Sequence, residues 1–387
     1  MLRLSQSPTD PDFVQTPYPF YERARASGDL FWWEEYGQVA AVSHRAVTAL
    51  LKDRRLGREA PPERAPEIPD RLRPFYDIEA HSMLELEPPR HTRLRSLVLR
   101  AFTSRRIGGL EPQIAALCHG LIDGFPEGPF DLLDAYARVI PVLVICRLLG
   151  VPEDRAEDLL AWSNDMVAMY QARRSPEIEE RAVAASRAFR GYVEEVIADR
   201  RARPGPDLLT DLIAAEEAGE TLSTDELVTT VILLLNAGHE ATVHSMGNAA
   251  KLLIERDHRR VDPDVVEEAL RLDPPLHIFE RWVYEDLELF GHGFRRGDKV
   301  SCLLAAGNRD PDAYSDPAAF RPGRPGPMLT SFGGGIHFCV GAPLARLELV
   351  IGLRLLFDRC PGLTLSETPR YADVYHFHGL ERLRVHR

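Results

Sequence analysis

The pattern of hydrophobic and polar positions along the chain predicts a mainly α-helical protein. The longest helical stretch runs from Leu227 to about Asp257. Ser223, just before it, is a favoured N-cap residue, and acidic residues follow in the first turn. Between Val231 and Leu235 the stretch is apolar on nearly all sides, which indicates that this section is buried.

The same helix changes character abruptly after its apolar section. Polar side chains follow at five positions: Asn236, His239, Glu240, Thr242 and His244. Because buried polar groups cost free energy unless they find partners, this change indicates a functional site. His239 and His244 superficially match a zinc-protease helix, but that motif needs two histidines four residues apart on one face. A spacing of five leaves them about 140° apart, which argues against zinc.

A cysteine stands on a glycine-rich loop near the C-terminus, directly before an amphipathic helix. The loop reads Phe332-Gly333-Gly334-Gly335-Ile336-His337-Phe338-Cys339-Val340-Gly341-Ala342-Pro343. Pro343 suits a first helical turn. Free N–H groups and the positive end of the helix dipole then face the sulfur and favour its thiolate form. Such a sulfur can be a nucleophile or an axial metal ligand, and the three glycines leave room for something broad and flat against the backbone.

Length and composition fit one globular domain that spans residues 1–387. Hydrophobic residues make up 44% of the chain, an ordinary fraction, and no repeat or low-complexity linker divides it. The N-terminus lacks a signal-peptide pattern, and the apolar runs are too short to cross a bilayer. The five cysteines form no disulfide framework, so we expect a cytoplasmic protein that does not bind a membrane. A net charge of −12 argues against a nucleic-acid partner.

The run Phe-Gly-Gly-Gly-x-His-x-Cys-x-Gly resembles the haem-ligand loop of the cytochrome P450 superfamily. The resemblance implies a single cytochrome P450 domain of the soluble bacterial class, mainly α-helical with a minor β region. Its haem b would lie between the long central helix and the cysteine loop. Cys339 would be the proximal thiolate ligand of the haem iron, which favours cleavage of the O–O bond.

The segment Ala237-Gly238-His239-Glu240 looks like the oxygen-binding segment of this family. The resemblance implies that Glu240 helps deliver protons and that small Ala237 and Gly238 let a flat macrocycle approach the helix. The family usually places threonine directly after the acid, whereas this chain has Ala241 and only then Thr242. Our hypothesis is a water network anchored by Glu240 and completed by the substrate. Thr242, reached through a local helix distortion, is the alternative.

Three further residues match a structural network of the family. Glu268 and Arg271 are three apart and therefore neighbours on one helix face. In the family such a pair is buried and joined by a later arginine. Arg324 is the expected partner here, and Arg321 is the alternative. A planar guanidinium suits a buried carboxylate, so the network is expected to support folding and haem retention.

The resemblance also implies the contacts of the cofactor. The haem propionates would be bound by His91 and Arg95, by Arg281 on a strand, and by His337. The full set of expected cofactor-binding residues is His91, Arg95, Ala237, Gly238, Arg281, Phe332, Gly333, His337, Cys339 and Gly341. NAD(P)H would act indirectly, through redox partner proteins, and O2 would be the co-substrate.

The expected substrate pocket mixes apolar and polar groups. Its apolar members are Met83, Leu84, Val167, Leu234, Ile278, Phe279 and Phe377, and its polar members are His81, Ser82, His277, His376 and His378. This mixture indicates a mainly hydrophobic small organic substrate with polar functions. The implied activity is a monooxygenase reaction, hydroxylation or epoxidation. A peroxide-driven peroxygenase, a haem isomerase and a non-catalytic haem sensor remain alternatives.

Basic residues cluster in two parts of the sequence, which are expected to meet on the cysteine side of the haem. They are His91, Arg93, Arg95, Arg100, Arg105, Arg106, Arg346 and Arg354. Because opposite charges steer association, this face is expected to attract an acidic ferredoxin-type donor, which a separate reductase would serve. We expect the protein itself to be a monomer.

Overall fold

Fifteen helices and thirteen short strands form the described part of the protein. The computed structural model describes residues 1–217 and 222–387. The helices are α1 (Pro11–Gln15), α2 (Tyr18–Arg25), α3 (His44–Lys52), α4 (Arg73–Glu79), α5 (Arg90–Ala101), α6 (Ser104–Gly108), α7 (Glu111–Asp123), α8 (Val139–Leu149), α9 (Ala156–Val167), α10 (Pro176–Ala202), α11 (Leu208–Glu217), α12 (Thr224–Glu255), α13 (Pro263–Leu272), α14 (Leu304–Gly307) and α15 (Ala342–Arg359). The strands are β1 (Arg3–Leu4), β2 (Leu30–Trp33), β3 (Gln38–Ala41), β4 (Leu56–Gly57), β5 (Phe130–Asp131), β6 (Ile278–Val283), β7 (Leu287–Leu289), β8 (His292–Phe294), β9 (Lys299–Leu303), β10 (Thr364–Leu365), β11 (Arg370–Tyr371), β12 (Leu380–Arg382) and β13 (Arg384–His386).

The predicted long helix is present as α12, and its two ends have identifiable causes. Ser223 Oγ accepts a hydrogen bond from the Glu226 N–H, while the Glu226 carboxylate accepts one from the Ser223 N–H. This reciprocal capping box satisfies two N–H groups that the helix start would otherwise leave without partners. At the other end Asp257 adopts a left-handed backbone conformation with φ of 50°. The helix therefore ends at Glu255, two residues before the predicted end.

The main hydrophobic core surrounds α12. This helix packs against α8, α9, α10 and α15, and the apolar section between Val231 and Leu235 is largely buried, as predicted. Burial on nearly all sides explains why a helix with so little polar character in its first half is stable here. The mainly α fold with a minor β region is confirmed.

A six-stranded sheet in the order β1-β2-β3-β9-β6-β4 forms the largest β element. Strand β6 pairs antiparallel with β9, and Arg281 lies opposite Val300 in this register. Because side chains alternate along a strand, Phe279 and Arg281 point to the same side of β6. The sheet thereby fixes the direction of the Arg281 side chain, which the sequence analysis predicted to bind the cofactor.

None of the helices in the described ranges combines the length and the apolar composition that crossing a membrane would require. All five cysteines are free thiols, in agreement with the absence of a disulfide pattern in the sequence.

Candidate active site

A cavity of about 530 Å³ lies between α12, strand β6 and the loop before α15. All seven apolar side chains predicted for the pocket line it: Met83, Leu84, Val167, Leu234, Ile278, Phe279 and Phe377. The predicted polar members divide into two groups. Ser82 and His376 line the cavity, whereas His81, His277 and His378 do not. His277 and His378 are buried elsewhere, where their rings pack against each other with centroids 4.5 Å apart. Assigning these two histidines to the pocket was wrong, because the chain turns them toward α1 and α2 (His277 to Tyr21, His378 to Val14).

The cysteine loop, residues 332–341, places the Cys339 sulfur at the cavity wall. The Cys339 N–H donates to the Phe332 carbonyl oxygen at 3.0 Å, which closes the loop on itself. Gly341 is the N-cap of α15, and Pro343 lies in its first turn as predicted. Cys339 is exposed to the cavity, whereas the other four cysteines are buried in the protein: Cys118, Cys146, Cys302 and Cys360.

Burial, rather than the helix terminus, dominates the protonation of the free thiol. Surrounding protein raises the pKa of Cys339, and the N–H groups of Gly341 and Ala342 offset this only in part. The helix start therefore favours the thiolate, as predicted, but it does not outweigh burial, and the pKa lies above its ordinary value. A bound metal ion would deprotonate the thiol outright, because coordination is far stronger than a few partial charges.

The three glycines of the loop are not among the residues that line the cavity. A β-carbon on Gly335 would lie 2.3 Å from the Leu51 carbonyl oxygen in α3, and this glycine has φ of 67°. A β-carbon on Gly333 would lie 3.3 Å from the Phe279 ring. The glycines thus let the loop pack against α3 and β6. The interpretation that they clear space for a flat ligand was wrong, and Gly333 does not line the cavity.

Two arginines bring positive charge to the cavity wall beside the cysteine loop. Arg95 donates to the Phe338 carbonyl oxygen at 2.6 Å. Arg281 is 2% exposed and, within the described ranges, forms no ion pair; it donates to the carbonyl of Glu280 at 2.9 Å. Burial lowers the pKa of Arg281 to about 10, and the nearby Arg58 contributes to the same shift. A buried guanidinium without an anion indicates a site for an anionic group.

The two predicted histidines lie next to each other at the same wall. The rings of His91 and His337 pack with centroids 4.4 Å apart. His91 Nδ1 is buried and has no hydrogen-bond partner in the part of the chain that the structure describes, whereas His337 Nε2 contacts Glu87 Oε1 at 2.9 Å. Burial lowers the pKa of His91 to about 4, so the ring is neutral at pH 7 and can donate one hydrogen bond. His91 is therefore free to bind a ligand, and His337 is already engaged by Glu87.

On α12, Glu240 lies at the cavity wall between two histidines. Its Oε2 atom is 3.6 Å from His244 Nε2, and its Oε1 atom is 3.9 Å from His239 Nε2. Burial raises the pKa of Glu240, but the neighbouring His244 and His239 outweigh burial, and the pKa lies below its ordinary value. Glu240 Oε1 has no hydrogen-bond partner among the described residues. The sequence had placed both histidines in the segment but had not predicted that they flank the acid.

The residues after Glu240 bring one hydroxyl that the sequence analysis missed. Ala241, Thr242 and Ser245 all line the cavity. Ser245 lies one turn after Ala241 on the same helix face, and its hydroxyl donates to the Ala241 carbonyl oxygen at 2.8 Å. The i,i+4 spacing was the signal that could have identified it.

Packing against the neighbouring helix α8 requires a very small residue at position 238. A β-carbon at this position would lie 2.7 Å from Ile145 Cγ1 in α8. Gly238 therefore permits close packing of α12 on α8, and the interpretation that its missing side chain makes room for a macrocycle was incomplete. Ala237 and Gly238 still line the cavity with their remaining atoms.

The predicted carboxylate network is buried behind the cysteine loop. Arg271 donates to both oxygens of Glu268 at 2.8 Å, and Arg324 Nε donates to Glu268 Oε1 at 3.0 Å. Arg321 contributes only its backbone N–H, while its side chain binds Asp316 at 2.6 Å. Arg324 is thus the partner, as expected. Arg271 also donates to three main-chain carbonyls, those of Asn308, Pro317 and Ala319.

Comparison with known proteins identifies the family. A sequence profile described as "Cytochrome P450" matches residues 256–369. The cytochrome P450 monooxygenase PikC of Streptomyces venezuelae is 35% identical over 384 residues, covering 92% of this chain and 87% of PikC. The vitamin D(3) 25-hydroxylase of Pseudonocardia autotrophica is 38% identical over 399 residues, covering 96% of this chain and 94% of the hydroxylase. The chain belongs to the cytochrome P450 family.

Solved structures agree with this assignment. The crystal structure of P450BioI in complex with hexadec-9Z-enoic acid ligated acyl carrier protein has a TM-score of 0.90 and 30% sequence identity. The match covers 97% of this chain and 99% of P450BioI. The predicted family and fold are therefore confirmed, and the chain is an oxidoreductase.

Cytochromes P450 use haem b with O2, and NAD(P)H through redox partners. The cavity of this P450 fits such a cofactor on three observations. Cys339 is open to the cavity. Among the residues that the structure describes, the buried Arg281 has no anionic partner and the buried His91 Nδ1 has no hydrogen-bond partner. Haem b carries an iron ion and two carboxylates, so it would complement the sulfur of Cys339, the guanidinium of Arg281 and the ring nitrogen of His91. The roles of the individual residues stay predictions.

The basic face predicted for this P450 carries less free charge than its sequence suggests. His91 and Arg95 point into the cavity. Three of the arginines form ion pairs: Arg93 with Glu226, Arg106 with Asp211, and Arg346 with Glu267. Arg105 and Arg354 are exposed. These five residues therefore contribute less free charge to this face than expected, because carboxylates far along the chain pair with three of them and the other two line the cavity. Attraction of an acidic donor by this face stays a prediction.

Proposed function

We propose that this chain is a haem-thiolate monooxygenase that inserts one atom of O2 into a mainly hydrophobic small organic substrate, by hydroxylation or epoxidation. The observation that carries the proposal is a single cavity of about 530 Å³ lined by Cys339, by the acid Glu240 and by a predominantly apolar wall. The residues that would act as iron ligand, proton carrier and substrate surface thus line the same cavity.

The chain's own residues would hold the cofactor from two sides. Cys339 would ligate the haem iron. Its place just before Gly341, the N-cap of α15, would hold the sulfur at the cavity wall. Arg95, Arg281 and His91 would bind the two carboxylates of the cofactor. A haem ligated by thiolate supplies the oxygen-activating chemistry, while the protein supplies orientation and electrostatics.

Glu240 would hold and move protons at its Oε1 atom. Its pKa lies below the ordinary value, so the carboxylate is ionised at neutral pH and ready to accept a proton. Ala241 has no hydroxyl, and the Ser245 hydroxyl already donates to the Ala241 carbonyl. A water molecule between Glu240 and the substrate, completed by a polar function of the substrate, would then link the acid to the reaction.

The apolar wall would exclude water and position the substrate. Phe279 and Ile278 from β6, Leu234 from α12 and Met83 from the segment after α4 converge on the same space. Electrons would come from a separate ferredoxin-type protein and its reductase. The exposed Arg105 and Arg354 are candidates for contact with that donor, because opposite charges accelerate encounter.

The proposed function is tested by measuring whether the oxygen atom added to the product comes from O2. The purified P450 is incubated with NADPH, a ferredoxin, a ferredoxin reductase and a panel comprising a fatty acid, a steroid and a macrolide, under 18O2 in ordinary water. We expect at least one product that gains one 18O atom and depends on NADPH and both proteins. Product formed only when hydrogen peroxide replaces them would support a peroxygenase instead, and oxygen drawn from water would contradict the proposal.

A further inference from the structure

One carboxylate at the cavity wall has no cationic partner of its own. Glu79 is the last residue of α4 and lines the cavity. It accepts a hydrogen bond from the hydroxyl of Tyr170, at the end of the 3-10 turn Ala168–Tyr170. Within residues 1–217 and 222–387 this carboxylate forms no ion pair.

Two other acids at this part of the wall, Glu85 and Glu280, are paired with cations. Glu85 forms an ion pair with Arg58. Glu280 binds Lys299 at 2.9 Å and accepts a hydrogen bond from Gln38 at 2.6 Å. Arg58 is close enough to Glu79 to act on its charge as well. One guanidinium beside two carboxylates still leaves one negative charge without compensation at this part of the wall.

Three physical effects make ionisation of Glu79 unfavourable in the protein without bound substrate. The negative end of the α4 dipole lies at this residue, because the last carbonyls of a helix carry partial negative charge. The Glu85 carboxylate is a like charge nearby, and the protein around the partly exposed Glu79 reduces its contact with water. Burial, and then Glu85, raise the pKa of Glu79 to about 7, while the Tyr170 hydroxyl and Arg58 oppose the shift. A positive charge bound beside Glu79 would stabilise the ionised carboxylate and so offset all three effects at once.

We propose that the cavity selects substrates that carry a positively charged amine and that Glu79 is the residue that binds this charge. The inference rests on the proposed function, since it names the substrate class of the same cavity. The apolar wall would hold the hydrocarbon part, and the Tyr170 hydroxyl would orient the carboxylate. A neutral molecule of equal shape would leave the unfavourable charge uncompensated and would bind more weakly.

The test uses two probes that differ only in charge. The 4-phenylbutyltrimethylammonium ion and its uncharged carbon isostere, 5,5-dimethylhexylbenzene, have the same shape, and the quaternary nitrogen cannot ligate iron. Dissociation constants of the haem-loaded protein are measured by titration calorimetry and by the low-spin to high-spin change. We expect the wild type to prefer the cation and Glu79→Gln to lose about 10-fold or more of this preference. Asp77→Asn, an exposed residue of the same helix, should leave the preference unchanged.

The preference for the cation should also depend on pH. Glu79 gains its charge as the pH rises through its pKa of about 7, so the cation should bind more tightly at pH 8 than at pH 6. The charged and titratable groups that act on Glu79 are Arg58, Glu85 and Tyr170. Arg58 and Tyr170 keep their protons in this range, because their pKa values are raised. Binding of the uncharged isostere should not change with pH.

Two outcomes would overturn the inference. One is an equal affinity of the wild type for the two probes, and the other is a Glu79→Gln variant that retains the full preference for the cation. If either result came from protein with an intact thiolate-haem spectrum, only the substrate class would be wrong. If the spectrum itself were absent, the proposed function would be wrong instead. The substitution changes one oxygen to nitrogen, and the haem spectrum of each variant checks that it is folded.

Discussion

Glu268→Ala is expected to yield little or no folded haem protein. The substitution leaves Arg271, 1% exposed, and Arg324 buried with no carboxylate between them. Breaking a buried pair by removal of one partner costs about 3–5 kcal/mol, because the remaining charge has no compensation. Whole domains are stable by only about 5–15 kcal/mol. The measurement is the yield of soluble holoprotein, together with the free energy of unfolding in urea for any that is obtained.

The adjacent residue provides a matched control. Glu267 pairs with Arg346, and both side chains of this pair are about one-third exposed. Glu267→Ala should change the free energy of unfolding by no more than about 1 kcal/mol, because water compensates for the lost partner. If the two alanine variants had the same stability, the buried network would not have the structural role argued for it.

Glu240→Gln is expected to separate electron consumption from product formation. Glutamine keeps the volume of the side chain but cannot accept and release a proton at neutral pH. Positioned general acids and bases contribute about 10²–10⁴-fold to a rate, so we expect product formation to fall by about 100-fold. Substrate binding, followed by the low-spin to high-spin change, should be retained, as should NADPH oxidation. The measurement is the ratio of product formed to NADPH consumed.

The neighbouring Ala241 tests how the proton path is completed. If water and the substrate complete it, Ala241→Thr should improve the ratio of product to NADPH only slightly. A sharp improvement would show that the missing hydroxyl limits the enzyme and that the substrate contributes little. Undiminished product formation by Glu240→Gln would show that the acid is assigned to the wrong residue.

Features that depend on neighbours in sequence were predictable. The capping box of α12 needs only Ser223 and Glu226, three residues apart. Glu268 and Arg271 are likewise three apart, and helix geometry alone places them side by side. The cysteine loop lies within ten residues, and its motif is specific enough to indicate the family from the amino-acid sequence. Such local patterns carry most of what the sequence revealed about the site.

Features that depend on distant neighbours were not predictable in this way. Arg93 meets Glu226 across 133 residues, and Arg346 meets Glu267 across 79. Sequence patterns give the charges of these residues but not their pairing, so the basic face seemed stronger than it is. The contact of Glu79 with Tyr170, 91 residues away, was not predicted for the same reason.

The glycines show a related limit of sequence patterns. A glycine indicates that something lies close to the backbone, but the sequence does not say what. Gly335 lies against Leu51 and Gly238 lies against Ile145. In both cases the close neighbour is another part of the chain, whereas the glycine run had suggested a flat ligand beside Gly335 and the family resemblance had suggested the cofactor beside Gly238.

The most direct test of the account is the absorption spectrum of the reduced, carbon-monoxide-bound protein. With Cys339 as the iron ligand, the wild type should show the thiolate-type Soret shift, and Cys339→Ala should lose it. Cys360→Ala, a buried cysteine at the opposite end of α15, should keep it. Absence of the shift in intact wild-type protein, or its survival in Cys339→Ala, would contradict the assignment of this sulfur as the haem ligand.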